Sequence, residues 1–164
     1  MRQLSRVTTI RLRLWSGYAF SGAAGAGGGS GNTLTLGGIK GSTFDLSSIG
    51  MAHSNASFRG FSQYEKTGSS IWTVTGIIGG DGPWTVQAGT LLMHEAVISG
   101  SVTVNATLSV DNKPSDILGS VSLNDESVLN VAGKTTIEGG LKVTINNTIS
   151  YDFLRCAAPA RVMR

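Results

Sequence analysis

From about Thr33 onward, apolar and polar residues alternate in short strings: Leu34-Thr35-Leu36, Trp72-Thr73-Val74-Thr75, Trp84-Thr85-Val86, Val102-Thr103-Val104, Val121-Ser122-Leu123 and Val143-Thr144-Ile145. Period-2 alternation rich in β-branched residues is the pattern of half-buried strands, because successive side chains on a strand point to opposite faces. Turn residues follow each string within a few positions. No stretch carries the i, i+3, i+4, i+7 apolar stripe of an amphipathic helix over three turns. The pattern predicts an essentially all-β chain.

The strings also repeat. Trp84-Thr85-Val86-Gln87, Val102-Thr103-Val104-Asn105, Val121-Ser122-Leu123-Asn124 and Val143-Thr144-Ile145-Asn146 share one template of large apolar, Ser/Thr, aliphatic, amide. Their amides recur at 87, 105, 124 and 146, and a second apolar-rich piece follows each word. A period near 20 residues is the mark of a solenoid. A leucine-rich repeat would need its own Leu/Asn pattern and usually a helical return, and neither is present. A sandwich would show turns without positional equivalence four times over. A parallel β-helix fits, its coils stacking at about 4.8 Å so that matching positions form columns. Val, Leu and Ile would line the interior, Ser and Thr would face solvent, and the amides would form a ladder bonding coil to coil. Residues 33–150 then make roughly six coils at about 20 residues each.

Both ends depart from this texture. Residues 17–31 are a Gly/Ala/Ser run that reads as flexible. Ahead of them Arg11 and Arg13 interrupt what would be the apolar core of a signal peptide, so the leader template is not met despite Ala24-Gly25-Ala26. The expected organisation is an irregular basic and Gly-rich segment over 1–32, coils over 33–150 and a non-repeat basic tail over 151–164. The formal net charge of +3 divides accordingly. Arg2, Arg6, Arg11 and Arg13 make the first segment positive, and Arg155, Arg161 and Arg164 outweigh Asp152 in the last. The span 14–150 is acidic. The basic stripe of a nucleic-acid-binding face is therefore absent, and no nucleic-acid partner is expected. No apolar run reaches the ~18 residues of a membrane helix. The single cysteine, Cys156, can form no internal disulfide, and no His/Cys cluster suggests zinc.

Phe44-Asp45-Leu46-Ser47-Ser48-Ile49-Gly50 is followed by Phe61-Ser62-Gln63-Tyr64-Glu65-Lys66-Thr67-Gly68-Ser69-Ser70-Ile71-Trp72-Thr73-Val74-Thr75-Gly76, and then by Pro83-Trp84-Thr85-Val86-Gln87-Ala88-Gly89-Thr90-Leu91. This succession resembles the passenger-associated repeat of bacterial autotransporters, densest over 44–108 and weaker to about 148. The resemblance implies a right-handed parallel β-helix displayed at the cell surface or secreted through the outer membrane of a Gram-negative bacterium. It also implies a translocator barrel in the full-length protein. Nothing after residue 110 supplies barrel strands, so the chain is expected to be a fragment of a longer passenger.

Candidate sites are sparse. Residues 28–36 approach the calcium nonapeptide G-G-x-G-x-D-x-U-x, but Thr33 stands where the carboxylate belongs, so no metal site is expected. Glycosidase-type catalysis needs two facing carboxylates. Asp125 and Glu126 are adjacent in a turn, Asp111 and Asp116 flank the turn-like Asn112-Lys113-Pro114-Ser115, and Asp81 lies in Gly79-Gly80-Asp81-Gly82. His53 and His94 are expected at the surface, with no Ser, Cys or Asp arranged around either. Trp72 and Trp84 occupy apolar strand positions and read as core; sugar-stacking platforms are the sharper alternative. No catalytic, cofactor-binding or metal-ligating residue is assigned.

The expected function is that of a non-catalytic surface stalk with a structural or adhesive role. Its partners would be a host-cell surface or polysaccharide, with self-association through open solenoid ends. The rival classes are a β-helical polysaccharide-processing enzyme and a truncated reading frame without function. Clustered charged residues on one exposed coil face would favour the enzyme; Ser/Thr/Asn ladders would favour the stalk.

Overall fold

The structure, a computed structural model, describes residues 9–27, 29–144, 148–156 and 161–162. Strands stack in parallel into a β-solenoid of about 7 turns. Eight strands form the first sheet: Arg11–Leu14, Thr33–Leu36, Gln63–Lys66, Trp84–Val86, Val102–Val104, Val121–Leu123, Leu141–Val143 and Arg161–Val162. The seven-stranded second sheet contains Thr43–Asp45, Ile71–Ile77, Thr90–Ile98, Thr107–Val110, Ser115–Ile117, Val128–Ile137 and Thr148–Cys156. Ala24–Gly25, Ile49–Gly50 and Phe58–Arg59 make a short third sheet.

Register turns the sequence alternation into columns. On the first sheet Tyr64, Trp84, Val102, Val121 and Leu141 lie over one another, and beside them Val86, Val104, Leu123 and Val143. On the second sheet Trp72, Leu91, Leu108 and Leu129 stack, as do Phe44, Val74, Met93, Val110 and Val131. Nearly all of these side chains are fully buried, and each aliphatic one contributes about 1.5–3 kcal/mol on burial. Tyr64 and Trp84 stack in successive coils with ring centroids 5.2 Å apart.

At the corner leading into the first sheet the coils touch backbone to backbone. Gly82, Gly100, Gly119 and Gly139 follow one another there. A Cβ on Gly119 would lie 2.5 Å from the carbonyl carbon and oxygen of Gly100. Glycine is required at this corner by close approach rather than by its dihedral freedom.

The regular coils advance by steps of 18, 19 and 20 residues. The coil from Thr35 to Glu65 is longer, at 30 residues, because the chain leaves Ile49–Gly50, loops through residues 51–57 and returns as Phe58–Arg59. That returning strand pairs with both Ile49–Gly50 and Ala24–Gly25. Arg59 fastens the loop by donating from Nη1 to the Ser54 carbonyl at 3.1 Å.

Three expectations need correction. The coils begin at Arg11 rather than Thr33, since Arg11–Leu14 pairs in register with Thr33–Leu36. The Arg-Leu-Arg-Leu alternation that breaks a leader sequence is itself a strand pattern, with Leu14 buried and both arginines exposed. The Gly/Ala/Ser run likewise supplies a strand, Ala24–Gly25, and is tied down by Asn32. This buried amide accepts from Ile10 N and donates to the carbonyls of Ala26, Gly29 and Gly60. At the other end, strand pairing passes residue 150, because Thr148–Cys156 lies on Val128–Ile137 and Arg161–Val162 on Lys142–Val143. These extensions raise the expected six coils to about 7.

The fourth repeat word is also displaced by two residues. Val121-Ser122-Leu123 pairs with Leu141-Lys142-Val143, not with Val143-Thr144-Ile145. Thr144 therefore takes the place assigned to an amide, its N–H and hydroxyl both donating to the Leu123 carbonyl. Ile145 and Asn146 lie outside the described residues, as do Arg2, Arg6 and Arg164.

Candidate functional site

The outward faces are built from the other half of the alternation. Thr85, Thr103 and Ser122 form one column on the first sheet. On the second, Thr73, Leu92, Ser109 and Asn130 form one column and Ile71, Thr90, Thr107 and Val128 its neighbour. At the corner beyond the first sheet, Asn105 donates from Nδ2 to Gln87 Oε1 at 3.0 Å, and Asn124 donates to Asn105 Oδ1. This is the expected amide ladder, exposed and lining the turn. Its neighbour column at the opposite corner is a serine pair, Ser120 donating to Ser101 Oγ at 3.2 Å. The result is a surface on which hydroxyls and amides repeat at about 4.8 Å, interrupted by Ile71, Leu92 and Val128 on the second sheet and bounded by Glu65 and Lys142 on the first.

Charged residues are dispersed around it. Asp81, Asp125 and Glu126 are exposed in turns, as expected. Asp116, by contrast, belongs to the strand Ser115–Ile117 and accepts from Thr136 N at 3.1 Å. No group of three or more His, Cys, Asp or Glu capable of holding a metal occurs among the described residues. Thr33 is buried within a strand.

The most chemically suggestive arrangement joins two coils on the second sheet. His94 Nδ1 is hydrogen-bonded to Asp111 Oδ2, across a separation of 17 residues. This corrects the expectation that no acid accompanies His94, since coil stacking creates the neighbourhood. Desolvation pushes the Asp111 carboxyl up, but hydrogen bonds from His94 and from Lys113 N outweigh it and hold the group below the usual carboxylate range. Lys113 also faces Glu95 at 3.6 Å. Glu95 has φ of 48°, and the strand register shifts between Met93 and Ala96. Imidazole and carboxylate are oriented as in an acid–base dyad, yet no hydroxyl or thiol is hydrogen-bonded to His94 among the described residues. The pair ties adjacent coils across a bulged corner.

His53 is exposed on the 51–57 loop, beside an open depression that Ile49, Met51, Ser54 and Gly79 also line. Trp72 and Trp84 are core residues and offer no stacking platform. Trp72 Nε1 donates to the Gly37 carbonyl at 3.0 Å, whereas Trp84 Nε1 has no hydrogen-bond partner among the described residues. Tyr64 donates to the Phe61 carbonyl, and burial, followed by the nearby Asp81, pushes its hydroxyl up to about 12.

Sequence reasoning missed Lys66. Register places it in the inward column between Leu36 and Val86, and it is fully buried. Its ammonium donates to the carbonyls of Thr67, Gly68 and Ala88, each at 2.9 Å, and burial lowers its pKa to about 8. The available signal was position, because in Gln63-Tyr64-Glu65-Lys66 the alternation that puts Tyr64 inward also puts Lys66 inward.

Comparison with known protein families, curated proteins and solved structures finds no match for this chain.

Proposed function

We propose that the chain is a non-catalytic β-solenoid module displayed at the cell surface, a stalk with a structural or adhesive role of the autotransporter-passenger type. The observation that carries this reading is the pair of outward faces rich in Ser, Thr and Asn, with the acids dispersed over turns and several strands rather than gathered on one coil face. A hydrolase or lyase acting on polysaccharide would need facing carboxylates or a basic cluster at the reacting bond. A stalk needs only repeated hydration, a continuous core and few loops for proteases to enter. The passenger-like order of words over 44–108 supports surface display.

Surface labelling of intact cells expressing the chain, combined with a reducing-end assay on a polysaccharide panel, tests the proposal. Antibody access without sugar release is the expected result. Confinement to the cell interior, or turnover of any polysaccharide, would overturn it.

A further inference from the structure

After the first strand the chain turns through Trp15–Phe20 and lays Tyr18 against the core. Tyr18 stacks on Trp72 at 6.2 Å and meets Phe58 edge-on at 6.1 Å. Phe20 meets Phe58 edge-on at 5.5 Å and remains 49% exposed. The rings of Tyr18, Phe20 and Phe58, with Asp45, Ser48 and Ser57, line a hollow of about 220 Å³. Its inner wall is Phe58, which is buried and packed on Phe44 at 5.5 Å. Asp45 stands at the mouth as the one charged residue of the lining. Its Oδ1 caps a 3₁₀ turn by accepting from Ser47 N at 2.9 Å, and it forms no ion pair among the described residues.

Aromatic faces carry negative potential and attract cations, most effectively cations that give up water readily. An unneutralised carboxylate beside them adds a directional charge. A small metal ion would find a single carboxylate and too few oxygens. We propose that this hollow binds a methylated ammonium group of the choline type, its methyls against Tyr18, Phe20 and Phe58 and its charge facing Asp45. Burial, and then Asp45, raise the Tyr18 pKa, which agrees with a carboxylate close to the ring. The site is independent of the stalk reading and stands or falls separately from it.

The test is a calorimetric titration of the full chain with choline chloride and with 3,3-dimethylbutan-1-ol, its uncharged carbon isostere. Choline saturates and the isostere binds at least ~5-fold more weakly, the size expected of one cation–π contact. Asp45→Asn keeps the turn cap, because Asn caps as well as Asp, but weakens choline binding by a similar factor at unchanged melting temperature. Phe20→Leu keeps the apolar bulk and also weakens choline. Equal binding of choline and isostere, no effect of Asp45→Asn, or no saturation below about 100 mM overturns the proposal. Vesicles identify the source of the group. Co-sedimentation with phosphatidylcholine but not phosphatidylglycerol assigns a lipid headgroup, and choline binding without co-sedimentation assigns a soluble amine.

Discussion

Replacing Lys66 with Met removes a charge from the middle of an apolar column while keeping the length and flexibility of the side chain. Three carbonyls, those of Thr67, Gly68 and Ala88, lose their donor. Hydrogen bonds to a charged group contribute about 1.5–3 kcal/mol each, but desolvating the ammonium costs several kcal/mol in return. The net loss at pH 7 is on the order of 2 kcal/mol, read as a lower urea midpoint by circular dichroism. The pH dependence is the sharper readout. The folded pKa is about 8 against an ordinary 10.5, so between these values the unfolded chain binds more protons than the folded one. Wild-type stability therefore gains from Lys66 as pH rises from about 8 to 10, by up to ~1.4 kcal/mol per unit. The Met variant lacks this contribution, and the gap between the two proteins widens across that window. Tyr64 titrates in both proteins and cancels in the difference. A gap that stays constant from pH 7 to 10, or a variant as stable as wild type at pH 7, would refute the buried-ammonium argument.

Further substitutions probe the coil contacts and the bulged corner. Gly119→Ala drives a Cβ into the Gly100 backbone and should cost ~3 kcal/mol or more, whereas Gly25→Ala, with only Arg59 Nε at 3.8 Å, should change the thermal midpoint little. Asn105→Ala cuts both bonds of the amide ladder, and at this exposed site the loss should be about 1 kcal/mol; a double-mutant cycle with Asn124→Ala should show coupling below that figure. Glu95→Gly relieves a left-handed backbone and should raise stability by about 1 kcal/mol, with a fall in midpoint arguing that the Lys113 pairing matters more than the strain.

The solenoid itself was legible because its columns repeat the same alternation, and Trp72 and Trp84 announced their burial by standing in apolar strand positions. The amide ladder was legible from spacing alone. The offset of the fourth word was not, since Leu141-Lys142-Val143 and Val143-Thr144-Ile145 both begin and end on aliphatics and only coil contacts choose between them. Lys66 was hidden by its own chemistry: a long stem reaches corner carbonyls from an inward position, which polarity alone does not suggest. His94 and Asp111 meet only because their coils stack, and nothing local in the sequence marks that meeting. Arg11–Leu14 was obscured by its charge, which faces outward on a strand but reads as disruption when the segment is weighed as a leader.

The glycines at the corner into the first sheet bear on how such a rod can change. Gly100 rests on Gly82, and Gly119 on Gly100, each against the backbone of the coil before. A point substitution at any of these steps meets main chain. Duplicating or excising a whole coil restores the same glycine-on-glycine contact at the new junction. Along this edge, length is a freer variable than residue identity, so related rods should differ more readily by coil number than by what stands at the corner.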